Sequence, residues 1–349
     1  MHPAQLTQRP TGLSVGSESL LRIHILNVGH GSCAIIEHPS GRVTMLDINN
    51  GTEINEDAAV AIAESLGMTG FEMTVAKIMS GSLTEALASK GYNIGLTNPI
   101  EYLNTHISDK QLWRYIQSHP DMDHMRGLAA LKEAGYGITN FWDTEHSKDP
   151  EHFHKDGDKA DWEEYERLRG GSNTTVLKIY QEAKAPFYNQ DAAGNPPGDG
   201  IYLLAPIQSI TTEENAKEAP NYNNLSYVLA LQYGGRMVIF GGDAEDAVWT
   251  SIHQKYGTGL KCDVLIAPHH GRDSAYHEDS VAAMAPEYAI VSVGKKPSTD
   301  ASNKYRKHCK NVWSTRWRGN ITIEITQTGA MTVTSQYNRG DQADNSKAA

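Results

Sequence analysis

The chain has 349 residues, with 31 Lys+Arg against 42 Asp+Glu and a formal net charge of −11. That length buries a sizeable core in one large or two ordinary domains. The negative balance excludes a sequence-independent nucleic-acid coat protein and a polybasic membrane binder, since both need a positive field to recruit phosphates; an enzyme handling phosphate at one local site is not excluded. Cys33, Cys262 and Cys309 are odd in number and far apart, which rules out a disulfide framework or a Cys-x-x-Cys zinc motif and predicts a reducing, cytoplasmic setting. Residues 1–19 are polar, with Pro, Gly and Ser, and read as a flexible arm without a secretory or anchoring core. No apolar run approaches the roughly 20 residues that span a bilayer, so no membrane contact is expected.

In chain order, Leu21–Val28, Ser32–Glu37 and Val43–Ile48 are β-rich runs bounded by Gly, Asn or Pro, and predict three strands. Thr52–Asp109 follows as an Ala-, Ser- and Gly-rich insertion with a helix at Asp57–Leu66. Helical patterns come next at Lys110–Gln117 and Met125–Ala134. Asp143–Gly200 is a second, strongly polar insertion, with Asp191-Ala-Ala-Gly-Asn-Pro-Pro-Gly as a loop; such long connections are functional lids or surface additions. Strands resume at Tyr202–Leu204, Ser226–Tyr233 and Met237–Phe240, then a helix at Glu245–Tyr256, then strands at Val264–Ala267 and Tyr288–Val293. Ile321–Thr326 and Met331–Ser335 pair as a hairpin through Gln327-Thr328-Gly329, and 339–349 reads as a disordered tail. Strands at both ends with helices between them predict one mixed α/β layered domain over 20–338, not a doubly wound parallel sheet.

Fifteen histidines carry chemistry only where they gather beside carboxylates, and Ser118-His119-Pro120-Asp121-Met122-Asp123-His124 does this. A tight loop between two elements can turn His119, Asp121, Asp123 and His124 toward two adjacent cations. Three apolar strands also end in ligand types: Thr44-Met-Leu-Asp47, Met237-Val-Ile-Phe-Gly-Gly-Asp243, and Val264-Leu-Ile-Ala-Pro-His269-His270-Gly271. A lone strand-end Asp is most often a turn or helix cap; the repetition of strand-then-ligand three times favours a site.

The order Asp, His-x-x-x-Asp-His, Gly-Asp, His-Gly resembles the metallo-β-lactamase superfamily. The forms His-Pro-Asp-x-Asp-His, Asn-Asn-x-Ser, Gly-Gly-Asp-Ala-Glu and Pro-His-His-Gly are similar to the hydrolase domain of ComEC-type DNA-uptake proteins. The resemblance runs from Leu21 to the hairpin around Gly329, apart from the two insertions. It implies a four-layer αββα sandwich with a binuclear site at one edge. One ion would take His119 and Asp121, the latter in place of the superfamily's usual second histidine; the other would take Asp123, His124 and one of His269 and His270, with His269 favoured because it follows the strand more directly. Asp243 matches the bridging carboxylate, and Asp47 the acid that orients ligands from behind.

A third histidine expected before Ser226–Tyr233 is absent, and Asn223-Asn224-Leu225-Ser226 stands there instead. The first site is thereby richer in oxygen, which shifts preference from zinc toward manganese or magnesium and leaves open that it fills only with substrate. Asn224 ligates through its amide oxygen, bonds a substrate phosphate or caps a turn. The expected cofactors are two divalent ions, and the expected reaction is attack of a metal-activated water on phosphorus, with Asp243 bridging and Asp121 or Asp123 orienting the water. A basic run near the C-terminus includes Lys295, Lys296, Lys304, Arg306, Lys307, His308, Lys310, Arg316 and Arg318, flanked by Tyr305, Trp313 and Trp317, and reads as a nucleic-acid track or as a solvated face. His308 is a candidate phosphate contact. The expected function is therefore a phosphodiesterase or nuclease acting on nucleic acid or a nucleotide. The alternatives are a hydrolase of a small ester, thioester or lactone, and a degenerate metal-binding scaffold that presents its insertions to a protein partner.

Overall fold

The computed structural model describes residues 19–50, 56–90, 95–107, 109–149, 153, 155–294 and 297–338. The expected arm, except Ser19, the expected tail, and Lys295 and Lys296 lie outside the described residues. The strands are β1 Leu20–Ile25, β2 Ala34–Glu37, β3 Val43–Leu46, β4 Gln111–Ile116, β5 Gly137–Trp142, β6 Thr175–Leu177, β7 Ile201–Ala205, β8 Val228–Tyr233, β9 Arg236–Phe240, β10 Val264–Ile266, β11 Tyr288–Val291, β12 Asn311–Ser314, β13 Ile321–Thr326 and β14 Met331–Ser335. They form an eight-stranded sheet in the order β14-β13-β1-β2-β3-β4-β5-β6 and a six-stranded sheet in the order β12-β11-β10-β9-β8-β7. In the first sheet β3 through β6 run parallel and the other pairings are antiparallel. In the second, β9 through β12 run parallel.

The period-2 alternation of the strands explains why the sheets face each other. Leu21, Ile23 and Ile25 of β1, Ile36 of β2 and Ile116 of β4 meet Leu229 and Leu231 of β8, Val238 and Phe240 of β9 and Ile290 of β11 in one central core. The opposite faces are covered by helices. Ile35, Met45 and Phe141 pack against Leu103, Leu128, Leu131, Tyr165 and Leu168; Ile239, Leu265 and Ala289 pack against Val248, Trp249, Ile252 and Val281. Helix, sheet, sheet, helix is the four-layer αββα architecture that the resemblance implies.

Three readings of the sequence are corrected. Lys110–Gln117 is the strand β4, not a helix. It lies between β3 and β5 with Tyr115 buried on the outer face and Ile116 on the inner one, and a strand buried on both faces loses the alternation that marks it. β5, β6 and β12 were not recognised as strands, and β5 and β12 lie in parallel runs of the same kind. The two long segments also contribute to the layers: Pro99–His106 and Asp158–Arg169 bury Leu103, Tyr165 and Leu168 in the outer core. Glu56–Ser65 and Leu83–Ser89 form a separate small cluster closed by Trp317.

Candidate metal centre

The C-terminal ends of β3, β4, β9 and β10 open on one edge, where the Tyr227 N–H donates to the Ser118 carbonyl at 3.0 Å and ties the two sheets together. β3 ends at Leu46, and Asp47 takes φ +56°, a left-handed geometry that a short carboxylate side chain tolerates. Buried there, Asp47 accepts from the Ser118 N–H at 2.7 Å and from His124 Nδ1 at 2.7 Å. It therefore acts from behind the ligands, by fixing the His124 ring with Nε2 forward. Gln117 ties the same loop, its Nε2 donating to the His119 carbonyl at 2.8 Å and the His124 carbonyl at 3.1 Å.

β9 delivers Asp243 through Gly241 and Gly242. A Cβ on Gly241 would stand 2.8 Å from the Pro268 side chain, so the close crossing of the two strand-end loops requires glycine. Asp243 is buried, and its Oδ2 lies 3.4 Å from His124 Nε2, 3.6 Å from His270 Nε2, and 3.9 Å from both His119 Nε2 and His269 Nε2. Asp123 Oδ2 lies 3.2 Å from His270 Nε2 and 3.9 Å from His124 Nε2; Asp121 Oδ2 lies 3.5 Å from His119 Nε2.

The choice within the histidine pair is the reverse of the expected one. His269 and His270 both have positive φ, +48° and +54°, followed by Gly271 at +74°. This left-handed turn carries His270 into the centre, where its Nδ1 donates to the Ser292 carbonyl at 2.9 Å and leaves Nε2 bare between Asp123 and Asp243. His269 remains nearer the surface, with Nδ1 3.1 Å from Glu245 and 3.2 Å from the Ser274 hydroxyl.

His119, His124 and His270 each present a buried Nε2 with no hydrogen-bond partner. Three such orphans around shared carboxylates are costly without a Lewis acid, so the donor set fits a metal. Electrostatics agree. Burial alone would raise the Asp123 and Asp243 carboxyls, but the surrounding imidazoles hold both well below the usual carboxylate range. Burial would lower the His124 and His270 imidazoles, yet these carboxylates push both up. The pocket is built to surround positive charge.

Asn224 is buried; its Nδ2 donates to Glu214 at 2.8 Å, and its Oδ1 has no partner. A carboxylate only accepts, so this bond fixes the amide orientation and leaves the oxygen as the free acceptor. Of the C-terminal basic residues, Lys304 pairs with Asp273, Lys307 lies 3.8 Å from Glu278, and His308 Nε2 lies 2.6 Å from Glu278. Tyr305 and Trp317 are buried, and Arg318 covers the Trp313 ring at 4.1 Å. Lys304, Lys307 and His308 thus face acidic side chains, and the buried rings of Tyr305 and Trp317 offer no open stacking face.

Two residues at the centre escaped the sequence reading. His30 stands at the mouth, its Nε2 3.8 Å from Asp123 and its ring 4.6 Å from that of His270; partial desolvation and the charges of His270 and Arg272 push it down to about 4. Its signal was the pair of glycines around it, directly after a predicted strand. Lys148 pairs with Asp121, and nothing in its own sequence context marks it.

The facing sheets and the histidine–carboxylate centre at their shared edge define a four-layer αββα sandwich with candidate ligands for metal ions. Among curated proteins, the chain is 33% identical over 117 residues to a competence protein, ComA, of Neisseria gonorrhoeae, covering 32% of this chain and 16% of that protein. It is 27% identical over 147 residues to ComE operon protein 3 of Bacillus subtilis (strain 168), covering 40% and 19%. The matches thus span less than a fifth of either relative. No family model matches the chain. Among solved structures, CmlA, a diiron beta-hydroxylase from Streptomyces venezuelae, superposes with a TM-score of 0.40 at 12% identity, covering 84% of this chain and 50% of that one. Unliganded yeast PDE1 superposes with a TM-score of 0.40 at 11% identity, covering 84% and 97%.

Proposed function

We propose that this chain is a metal-dependent hydrolase that cleaves a phosphodiester in nucleic acid or a nucleotide. The observation that carries the reading is the convergence of three buried, unpartnered imidazole Nε2 atoms on Asp243 and Asp123. In this proposal His119 and Asp121 would hold one divalent ion, with the Asn224 amide oxygen as a further candidate donor, Asp123, His124 and His270 would hold the other, and Asp243, 3.4–3.9 Å from His119, His124 and His270, would serve both. Oxygen donors predominate on the first side, which favours manganese or magnesium there over zinc. When bound, two such ions supply Lewis acidity, making a water nucleophilic near neutral pH and offsetting charge on the leaving oxygen.

The protein's own groups do the positioning. Asp47 and the Ser292 carbonyl keep the ligating face of His124 and His270 turned inward. In this reading Asp121, a third exposed, or Asp123 would orient an attacking water as a hydrogen-bond acceptor. Arg272 lies close enough to His30 and His269 to influence both electrostatically, and with Lys148 it adds cationic charge suited to a phosphate. The printed name of the Neisseria relative, a competence protein, supports a nucleic-acid substrate.

The test is metal content followed by turnover of bis-p-nitrophenyl phosphate with added manganese. Bound metal and diester cleavage that disappears in Asp123→Ala and Asp243→Ala is the expected result. Bound metal with turnover only on a thioester or lactone would replace phosphorus as the target, and metal without turnover on any of these would point to the scaffold.

A further inference from the structure

Asp121 stands beside the buried His119 imidazole, yet one of its oxygens is already taken by an ammonium. Lys148 Nζ contacts Asp121 Oδ1, while Asp121 Oδ2 stays 3.5 Å from His119 Nε2. The lysine is held in place. Its Nζ lies 5.2 Å over the Tyr222 ring, and its backbone N–H donates to His146 Nδ1 at 3.0 Å. That bond makes Nδ1 an acceptor, so Nε2 carries the ring proton and donates to the Tyr165 hydroxyl at 2.5 Å; Tyr165 in turn donates to Asp143 at 2.6 Å, and Arg169 neutralises Asp143 at 3.2 Å. His146, Tyr165 and Asp143 are all buried. On the other side of the centre, the cationic neighbours of Asp123 among the described residues are the imidazoles of His30, His124 and His270.

We propose that Lys148 makes the two ion positions unequal and couples the first one to substrate. Resting on the two-ion reading above, the inference is that Lys148 acts as counter-ion to Asp121 until an anionic phosphate offers it another partner. With Asp121 engaged, the first position is left with His119 Nε2 and its share of Asp243, 3.9 Å from that nitrogen, so a divalent ion must compete with the ammonium for Asp121. A phosphate oxygen accepts from Lys148 as well as a carboxylate does, which frees Asp121 for the ion. Ion and phosphate then strengthen each other's binding, and by linkage the coupling is reciprocal. Asp121 is 33% and Lys148 27% exposed, so the pair can exchange partners without unpacking the core. Lys148 is thus a positioning residue that ties the second ion's arrival to that of a phosphate-bearing substrate.

The experiment is calorimetric titration of the metal-stripped full chain with manganese, with and without inorganic phosphate. Wild type should take one ion tightly and a second at least about 10-fold more weakly, with phosphate strengthening the second. Lys148→Met should bind the second ion about 10-fold more tightly and lose the phosphate effect, whereas Lys148→Arg should behave as wild type. Unchanged second-ion affinity and phosphate dependence in Lys148→Met would overturn the coupling while leaving the two-ion reading standing, as would Lys148→Arg behaving like Lys148→Met. A wild-type chain that binds no ion would remove the two-ion reading and this inference with it.

Discussion

A ring that is to hold a cation needs one nitrogen occupied and the other bare. His270 meets both conditions inside the centre, its Nε2 3.2 Å from Asp123 and 3.6 Å from Asp243, whereas His269 has its Nδ1 directed at Glu245 and Ser274 and its Nε2, nearer the surface, 3.9 Å from Asp243. His270→Ala should therefore cost more than about 10-fold in ion affinity and His269→Ala less than about threefold, taking the 10–100-fold typical of a lost supporting contact as the yardstick; titration against a chromophoric chelator reads both. Asp47→Asn should cost about 10–100-fold by the same measure. The amide can still accept from the Ser118 N–H, so the fold survives, but its NH2 group meets His124 Nδ1–H donor to donor. His119, Asp121, Asp123 and His124 were legible in the sequence because they are contiguous. The choice between His269 and His270 was not, because it depends on two positive φ values that no local residue preference announces.

Each element brings a ligand to the edge, and its loop decides how closely. Gly31 shows this: at φ +140°, an added Cβ would stand 2.4 Å from the Asp123 carbonyl and 2.7 Å from the Asn49 amide. Gly31→Ala should lower stability by about 1–3 kcal/mol and weaken ion binding, since relief of the clash displaces the Asp123 backbone; thermal denaturation and ion titration check the two effects together. The helices Glu56–Ser65 and Leu83–Ser89 bury Ala59, Ile62, Ala63, Leu83 and Leu87 against Trp317, apart from the three larger cores. Trp317→Ala should remove about 3–5 kcal/mol from that contact. Hydrogen exchange should then accelerate over these helices and stay slow in β1 and β8, because a satellite cluster opens without the sandwich. A helix in this region was legible from its apolar periodicity. Its partner was not, for Trp317 lies more than two hundred residues away and was read as a base-stacking ring.

The sandwich as a whole is pinned by a buried ion pair far from the candidate centre. Arg114 of β4 is buried, donating to Thr44 Oγ1 at 2.7 Å and to the Phe187 carbonyl at 2.7 Å, with Asp199 at 3.3 Å; Arg42 adds a contact to Asp199 at 3.0 Å. Asp199→Ala leaves this guanidinium short of a counter-charge and should cost about 3–5 kcal/mol, while Arg114→Met with Asp199→Leu should cost less; denaturant unfolding separates the two. Burial raises the Asp199 carboxyl, and the charges of His38 and Arg114 with the Ser40 hydrogen bond more than reverse this. Its contribution is therefore complete above the unfolded carboxylate value of about 3.9 and fades as pH falls through the lower folded value. Composition and motif order were enough to specify a layered α/β fold, the loop of candidate ligands, and the strand-end acids Asp47 and Asp243, because alternation and closeness in sequence are local properties of a chain. Only the tertiary structure decided which histidine of the pair turns inward, which way the Asn224 amide points, that Lys304 and His308 of the C-terminal basic run pair with Asp273 and Glu278, and that a lysine from the second long segment reaches Asp121. Each of those outcomes depends on a partner distant in sequence, and charge and hydrogen-bonding capacity acquire a direction only when folding brings the partner within reach.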